Sequence, residues 1–289
     1  MDLGVLFPGH EIGIDPGAVR EWAQAVEGLG YSHVVASDHV LGADITNRPN
    51  WDLPNTVETL FHEPLVLLGY LAGCTERLGL ATAIVILPQR QTALVAKQAA
   101  EVDVLSRGRL RLGVGLGRYE IEYEALGEDF HNRGRRVDEQ VAVLRALWTQ
   151  EVVTFQGKWH HISEAGINPL PVQRPIPIWF GGGSRAEAAL RRIGRLADGW
   201  FPSSSSHGEL LATLERLQGY ARAAGRDPAT IQIEGRMNVA RGGPDDWRNA
   251  RATWQQLGAR YLSLNTEGAG FTSVRQHIDR LRQAKEALR

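Results

Sequence analysis

The sequence predicts one α/β domain, residues 1–289, folded as a (β/α)8 TIM barrel. Three observations lead there. Short apolar runs alternate with amphipathic runs almost to the C-terminus, eight such units can be counted, and 289 residues with 43% hydrophobic content suffice for one large core.

Residues 3–7 form a short apolar run stopped by Pro8-Gly9, the first strand. Residues 16–29 place Val19, Trp22, Ala23, Val26 and Leu29 at helical spacing, and Gly30 stops them. The remaining strands are expected at 33–37, 78–87, 110–116, 176–180, 199–202, 231–237 and 261–264. Helices are expected at 63–74, 92–105, 135–148, 185–196, 208–224, 245–257 and 273–287. A doubly wound open sheet is the competing architecture; the number and evenness of the units favour closure.

Two insertions, after strands 2 and 4, break this rhythm. Residues 41–60 are polar and hold Pro49, Asn50 and Pro54. Residues 150–168 read as a hairpin around Gln156-Gly157-Lys158. Both are expected to wall the substrate end of the barrel.

Net charge is −1, from 32 basic and 33 acidic side chains, so no general field favours nucleic acid or anionic lipid. Cys74 is the one cysteine, which excludes an intramolecular disulfide and a cysteine-rich metal site. No apolar run reaches the roughly 18 residues of a membrane span, and residues 1–8 do not resemble a signal peptide; a cytoplasmic location is expected.

Asp38-His39 follows the second strand, at the end where barrel enzymes place their chemistry. Imidazole titrates near neutrality and can exchange a proton while a hydride moves. Asp38 could fix a ring tautomer or accept a hydrogen bond from a cofactor ring edge; capping beside a surface histidine is the plainer alternative. Gly113, Gly115 and Gly117 share one strand face, and Leu112, Val114 and Leu116 the other. The glycine face either lets a flat ring approach backbone or relieves crowding in a narrow barrel. The string is not a dinucleotide fingerprint, because Glu120 stands where G-x-G-x-x-G needs glycine. Gly181-Gly182-Gly183-Ser184 precedes a helix expected from Arg185, with Ser184 as N-cap, and suits a phosphate or a tight turn equally.

His160, His161 and His207 show no metal-ligand spacing, and H-E-x-x-H is absent. Arg133, Arg135 and Arg136 read as ion-pairing, although one of them could face a phosphate. The 203–206 serine run lacks a nucleophile elbow.

Several strings, in order, resemble the luciferase-like monooxygenase superfamily, and within it the coenzyme F-420 (deazaflavin)-dependent oxidoreductases. They are Ala36-Ser37-Asp38-His39-Val40, Leu78-Gly79-Leu80-Ala81-Thr82-Ala83 and Leu105-Ser106-Arg107-Gly108-Arg109-Leu110. Arg133-Gly134-Arg135-Arg136, Pro175-Ile176-Pro177-Ile178-Trp179-Phe180-Gly181-Gly182-Gly183-Ser184 and Ala197-Asp198-Gly199-Trp200 continue the set.

The resemblance implies a bacterial-luciferase-like barrel with a cofactor ring over the C-terminal mouth. It implies a bulged third strand with a non-proline cis peptide at Ala83–Ile84, and a cofactor held by Asp38, Ala83, Ile84, Gly115, Gly117, Gly182, Gly183 and Ser184. His39 would handle the proton. Two departures stand out. The sugar-phosphate dehydrogenases of this group carry glutamate where this chain has Arg118, and tryptophan soon after Asp-His, where this chain runs Val40-Leu41-Gly42-Ala43. A sugar-phosphate substrate and a Glu–His pair therefore do not carry over. Arg118 is left to face an anionic substrate or an acidic cofactor tail, or to pair with Glu120 or Glu122.

The resemblance favours F-420 hydride transfer to or from a small organic substrate. The alternatives are an FMN-dependent monooxygenase supplied with reduced flavin by a separate reductase, and a non-catalytic flavin-binding relative. A metal-dependent hydrolase ranks last. Members of this group are often homodimers, for which helix 63–74 offers an apolar surface.

Overall fold

The computed structural model describes residues 1–48, 51, 53–183, 186–203 and 206–289. In chain order the first half holds β1 (Asp2–Leu6), α1 (Pro16–Gly28), β2 (His33–Ala36), α2 (Pro64–Cys74), β3 (Gly79–Thr82), β4 (Val85–Ile86), α3 (Thr92–Leu105), β5 (Leu110–Gly115), α4 (Glu120–Ala125) and α5 (Arg133–Thr149). Then come β6 (Val153–Gln156), β7 (His161–Ala165), β8 (Ile178–Gly181), α6 (Glu187–Leu196), β9 (Gly199–Phe201), α7 (His207–Ala223), β10 (Gln232–Asn238), α8 (Pro244–Gln256), β11 (Tyr261–Asn265) and α9 (Val274–Ala287).

Helix starts follow local chemistry. Asp15 accepts from the Gly17 and Ala18 amides ahead of α1, and Pro16 supplies a φ already suited to the first turn. Glu63 accepts from the Val66 amide ahead of α2, and Ser206 and Glu209 form a reciprocal capping box on α7.

The main sheet closes. β1 pairs with β2 and β11, and β3 and β4 both pair with β5, which continues through β8, β9 and β10 back to β11. Every pair in this ring is parallel. With β3 and β4 as two pieces of one stave, the result is the expected eight-stranded barrel. Outward side chains such as Leu112, Val114, Ile178 and Leu262 pack beneath the helices in the larger core. Leu6, Val35, Ala81, Ala83, Trp179 and Phe201 fill the interior.

The third stave is bulged. Ala81 lies opposite Arg111 and Val85 opposite Val114, so one more residue passes on this stave than on β5. The Ala83–Ile84 peptide within the bulge is cis, at the bond expected from the resemblance. Gly113 permits this crowding: a Cβ there would lie 1.9 Å from the Thr82 carbonyl oxygen and 2.9 Å from the Phe201 ring. Backbone cannot yield as a flexible side chain can. Gly113→Ala is therefore expected to cost about 1–3 kcal/mol of unfolding free energy, measured in urea; a change within error would show that the bulge is free to move.

The β6–β7 hairpin forms as the sequence predicts, but it does not wall the mouth. Among the described residues lining the two cavities at the mouth, none belongs to it. Its tip is gathered by the Glu139 carboxylate, which accepts from the Lys158, Trp159 and His160 amides at 2.8 Å each. The first insertion does reach the mouth, through Pro54 and Asn55, with Phe61 directly after it.

Candidate functional site

Two adjoining cavities, of about 600 and 350 Å³, open at the C-terminal mouth, where barrel enzymes keep their sites. Ala83, Ile84, Gly117 and Arg118 line both, so the cis peptide is the ridge between them. Gly115, Gly182, Gly183 and Arg236 belong to the larger cavity, and Asp38, His39, Phe61 and Tyr119 to the smaller.

The glycines make room chiefly for the bulge. A Cβ at Gly115 or Gly181 would lie 2.6 Å from the Ile84 side chain, and one at Gly117 would lie 2.7 Å from Ile86. Gly182 differs: its φ is +83° and a Cβ there would meet nothing within 4 Å. Its backbone is held on both sides, by its amide to the Phe201 carbonyl at 3.0 Å and by the Trp200 indole N–H to its own carbonyl at 2.7 Å. Helix α6 opens at Glu187 with Ala186 in the cap position and no side-chain cap, later than the start expected at Arg185. Ser184 and Arg185 lie outside the described residues, and with them the capping role expected of Ser184.

Asp38 and His39 point to different partners. Asp38 is 3% exposed, and its carboxylate accepts from the Ile86 amide and from Arg90 Nη2, each at 2.8 Å. Burial raises the Asp38 carboxyl above its ordinary value, and the Arg90 guanidinium opposes that rise. Arg90 also holds Glu63, the N-cap of α2, at 2.8 Å. Asp38 thus fastens the second stave to the bulge.

The tautomer-fixing partner of His39 is instead Glu122, whose Oε2 lies 3.1 Å from Nδ1. Glu122 is fully buried. Its Oε1 accepts from the Val40 amide at 2.8 Å and the Leu41 amide at 3.2 Å, and Gln89 Nε2 reaches Oε2 at 3.4 Å. Burial alone would raise its carboxyl. The His39 ring and the Val40 and Leu41 amides outweigh burial and hold it below the usual carboxylate value. A carboxylate accepts, so Nδ1 donates, and Nε2 is left for the cavity. The rings of Phe61 and Tyr119 contact the imidazole edge-on at 4.9 and 4.7 Å between centroids.

The pairing of Arg118 with Glu120 or Glu122 does not occur. Glu122 is taken by His39, and Glu120 lies 3.7 Å from His131. Arg118 is exposed, its guanidinium 5.8 Å from the Tyr119 ring centre. A Glu–His pair does exist, with the glutamate on α4, five positions after the last glycine of the motif rather than directly after it.

Arg136 pairs with Glu128 and Arg133 donates to the Phe130 carbonyl. His160 sits between Glu139 and Thr92. Among the described residues no cluster could hold a metal, and no helix is long and apolar enough to cross a membrane.

The family profile of luciferase-like monooxygenases matches residues 1–288. The chain belongs to that family. An uncharacterized protein of Mycobacterium tuberculosis is 34% identical over 217 residues, covering 73% of this chain and 74% of that protein. The FMNH2-dependent dimethylsulfone monooxygenase of Pseudomonas putida is 32% identical over 167 residues, covering 57% of this chain and 46% of that protein. Among solved structures, an F-420-dependent secondary alcohol dehydrogenase with an F-420–acetone adduct superposes with a TM-score of 0.80 at 18% identity, covering 100% of this chain and 99% of that one. The names of these two proteins refer to different cofactors, FMNH2 for the sulfone monooxygenase and F-420 for the alcohol dehydrogenase.

Proposed function

We propose that this protein is a coenzyme F-420 (deazaflavin)-dependent oxidoreductase acting on a small organic substrate, with His39 exchanging the proton that accompanies the hydride. One observation carries this reading: a half-buried imidazole is pinned through Nδ1 by a buried carboxylate, leaving Nε2 free beside the bulge. A group so held can accept a substrate hydroxyl proton, or return one, without first reorienting.

The mouth fits a tricyclic cofactor. It offers a flat backbone ridge at Ala83–Ile84 flanked by Gly115 and Gly117, and a turn at Gly182-Gly183 where the Gly182 amide is held by Phe201 and the Gly183 amide has no acceptor among the described residues and can meet an anion. Ser184 follows that turn in sequence. Asp38 serves indirectly, by holding Ile86 and with it the bulge. When bound, the deazaflavin supplies a carbon that accepts or gives a hydride. This chain's side chains orient the substrate and move the proton.

A second reading, FMN-dependent monooxygenation with a separate reductase, is favoured by the similarity to the dimethylsulfone monooxygenase. Fluorescence titration of the purified protein with F-420 and with FMN separates the two. A preference of about 100-fold for F-420, about 2.7 kcal/mol, is expected; the same preference for FMN would move the assignment to the monooxygenase.

A further inference from the structure

We infer that Asn55 and Tyr119 select the substrate, by binding a neutral carboxamide or lactam group that it carries beside its reacting hydroxyl or carbonyl. This deepens the reading of His39 as the proton-exchanging group and rests on it for the place of the reacting atom.

The titratable side chains of the smaller cavity are largely spent on the protein itself. Asp38 accepts from Arg90 and the Ile86 amide, His39 is held by Glu122, and His10 lies 3.3 Å from Glu267. Asn55 is different. It lines that cavity and is only 7% exposed, yet among the described residues its carboxamide has no hydrogen-bond partner. A carboxamide with so little access to solvent and no protein partner is unfavourable until a ligand meets it.

The backbone of Asn55, by contrast, is fixed at both ends. Its carbonyl accepts from the Ala43 amide at 3.4 Å, and its amide donates to the Tyr119 hydroxyl oxygen at 3.3 Å. Gly42 lets the two stretches of the insertion close on each other: a Cβ there would lie 1.9 Å from the Thr56 carbonyl oxygen. The side chain is therefore carried on a held support. Tyr119 completes the arrangement. Because its oxygen accepts from Asn55, its O–H is left to donate, and among the described residues it meets no acceptor. The same ring packs edge-on against His39, 4.7 Å between centroids, so the phenol and the proton-exchanging imidazole share one cavity of about 350 Å³.

Two donors and one acceptor thus await a partner: the Tyr119 O–H, the Asn55 amide N–H and the Asn55 side-chain carbonyl. A carboxamide is their complement, since its oxygen takes two hydrogen bonds and its N–H returns one. An apolar group in its place would leave all three unmet, and a site of that kind rejects analogues that lack the polar group. Among the described residues no unpaired carboxylate lines the cavity, so an amine would find no counter-charge there.

Calorimetry on the free and the F-420-loaded protein compares 4-hydroxypentanamide with 5-methyl-2-hexanol, which has the same shape without the amide. The amide is expected to bind at least about tenfold more tightly. Asn55→Leu keeps the shape of the side chain and is expected to bring that preference below about threefold, weakening the amide and strengthening the alcohol. Tyr119→Phe removes one donor and should weaken the amide by about three- to tenfold with little change for the alcohol. Both compounds are read on the same protein, so their ratio reports the preference even in a variant that melts earlier than the parent.

Equal binding of the two compounds overturns the proposal, as does a preference that survives in Asn55→Leu. A merely structural role for these residues would weaken both compounds alike, and that result overturns it too. If neither F-420 nor FMN binds while the preference and its dependence on Asn55 persist, the redox reading fails and the carboxamide site stands. F-420 binding with equal affinity for the two compounds removes this proposal alone.

Discussion

His39→Ala is expected to lower turnover by about 10²- to 10⁴-fold, the range seen when a positioned acid–base group is removed. Affinity for the cofactor should change by less than about threefold, because no cofactor-holding role falls to the imidazole. Glu122→Gln is a finer test. The carboxylate touches His39, not the cavity, so it acts by holding the ring. A glutamine can turn its amide N–H toward Nδ1 and favour the other tautomer. Turnover should then fall by about 10- to 100-fold with little change in KM, and Glu122→Asp should recover part of it. The same carboxyl is held below the usual carboxylate value, so it stays ionised as the medium becomes acidic. Its contribution to stability is present above the ordinary glutamate range and is lost only as pH falls through the lowered value. Unchanged turnover in His39→Ala on any accepted substrate would remove the proposed proton carrier.

The barrel was legible because its signals are periodic: apolar runs of strand length, helical spacing between them, and a regular count. The bulge was legible through resemblance alone, since nothing in Ala83-Ile84 itself announces a cis bond. Glu122 was not legible as a functional residue. It lies in Glu120-Ile121-Glu122-Tyr123-Glu124, which reads as a solvated acidic stretch, and only the six-residue α4 turns one of the three glutamates fully inward. Arg236 left a signal that went unread. On β10 the polar residues Gln232, Glu234, Arg236 and Asn238 alternate with Ile233, Gly235 and Met237. Strands of a parallel barrel are covered on both faces and usually read as continuous apolar runs, so an alternating polar face marks a strand whose interior side is polar. Ser263 on β11 and Arg111 on β5 belong to the same polar interior.

That interior holds the site of the largest expected loss of stability. Near the start of the staves, Glu234 is 1% exposed and its Oε1 lies 2.8 Å from His33 Nε2. It accepts from the Ser263 hydroxyl as well, and its Oε2 pairs with Arg111 Nη2 at 3.1 Å. The Arg111 guanidinium is sandwiched between Trp179 and Tyr261, 4.6 and 4.4 Å from the ring centres. Burial by itself would raise Glu234; the His33 ring, the Arg111 charge and the Ser263 hydroxyl hold it instead at about 2. Burial lowers His33, which keeps the ring neutral with Nε2–H directed at the glutamate.

Both shifts act in the same direction on folding. Below the ordinary histidine value of 6.5 the unfolded chain takes up a proton that folded His33 refuses, and below 4.5 it takes up one that folded Glu234 refuses. Stability should therefore decline in two stages from about pH 6.5 downward, the second complete near pH 2. Glu234→Gln leaves the Arg111 charge enclosed without its partner and is expected to cost about 3–5 kcal/mol at pH 7. Arg111→Met in the same background should return much of that loss, because a buried pair replaced as a unit by uncharged groups leaves no stranded charge. Urea unfolding of the two single variants and the double variant provides the cycle. Strictly additive losses would mean that the two groups do not stabilise one another, and that aromatic packing alone holds the guanidinium in the barrel.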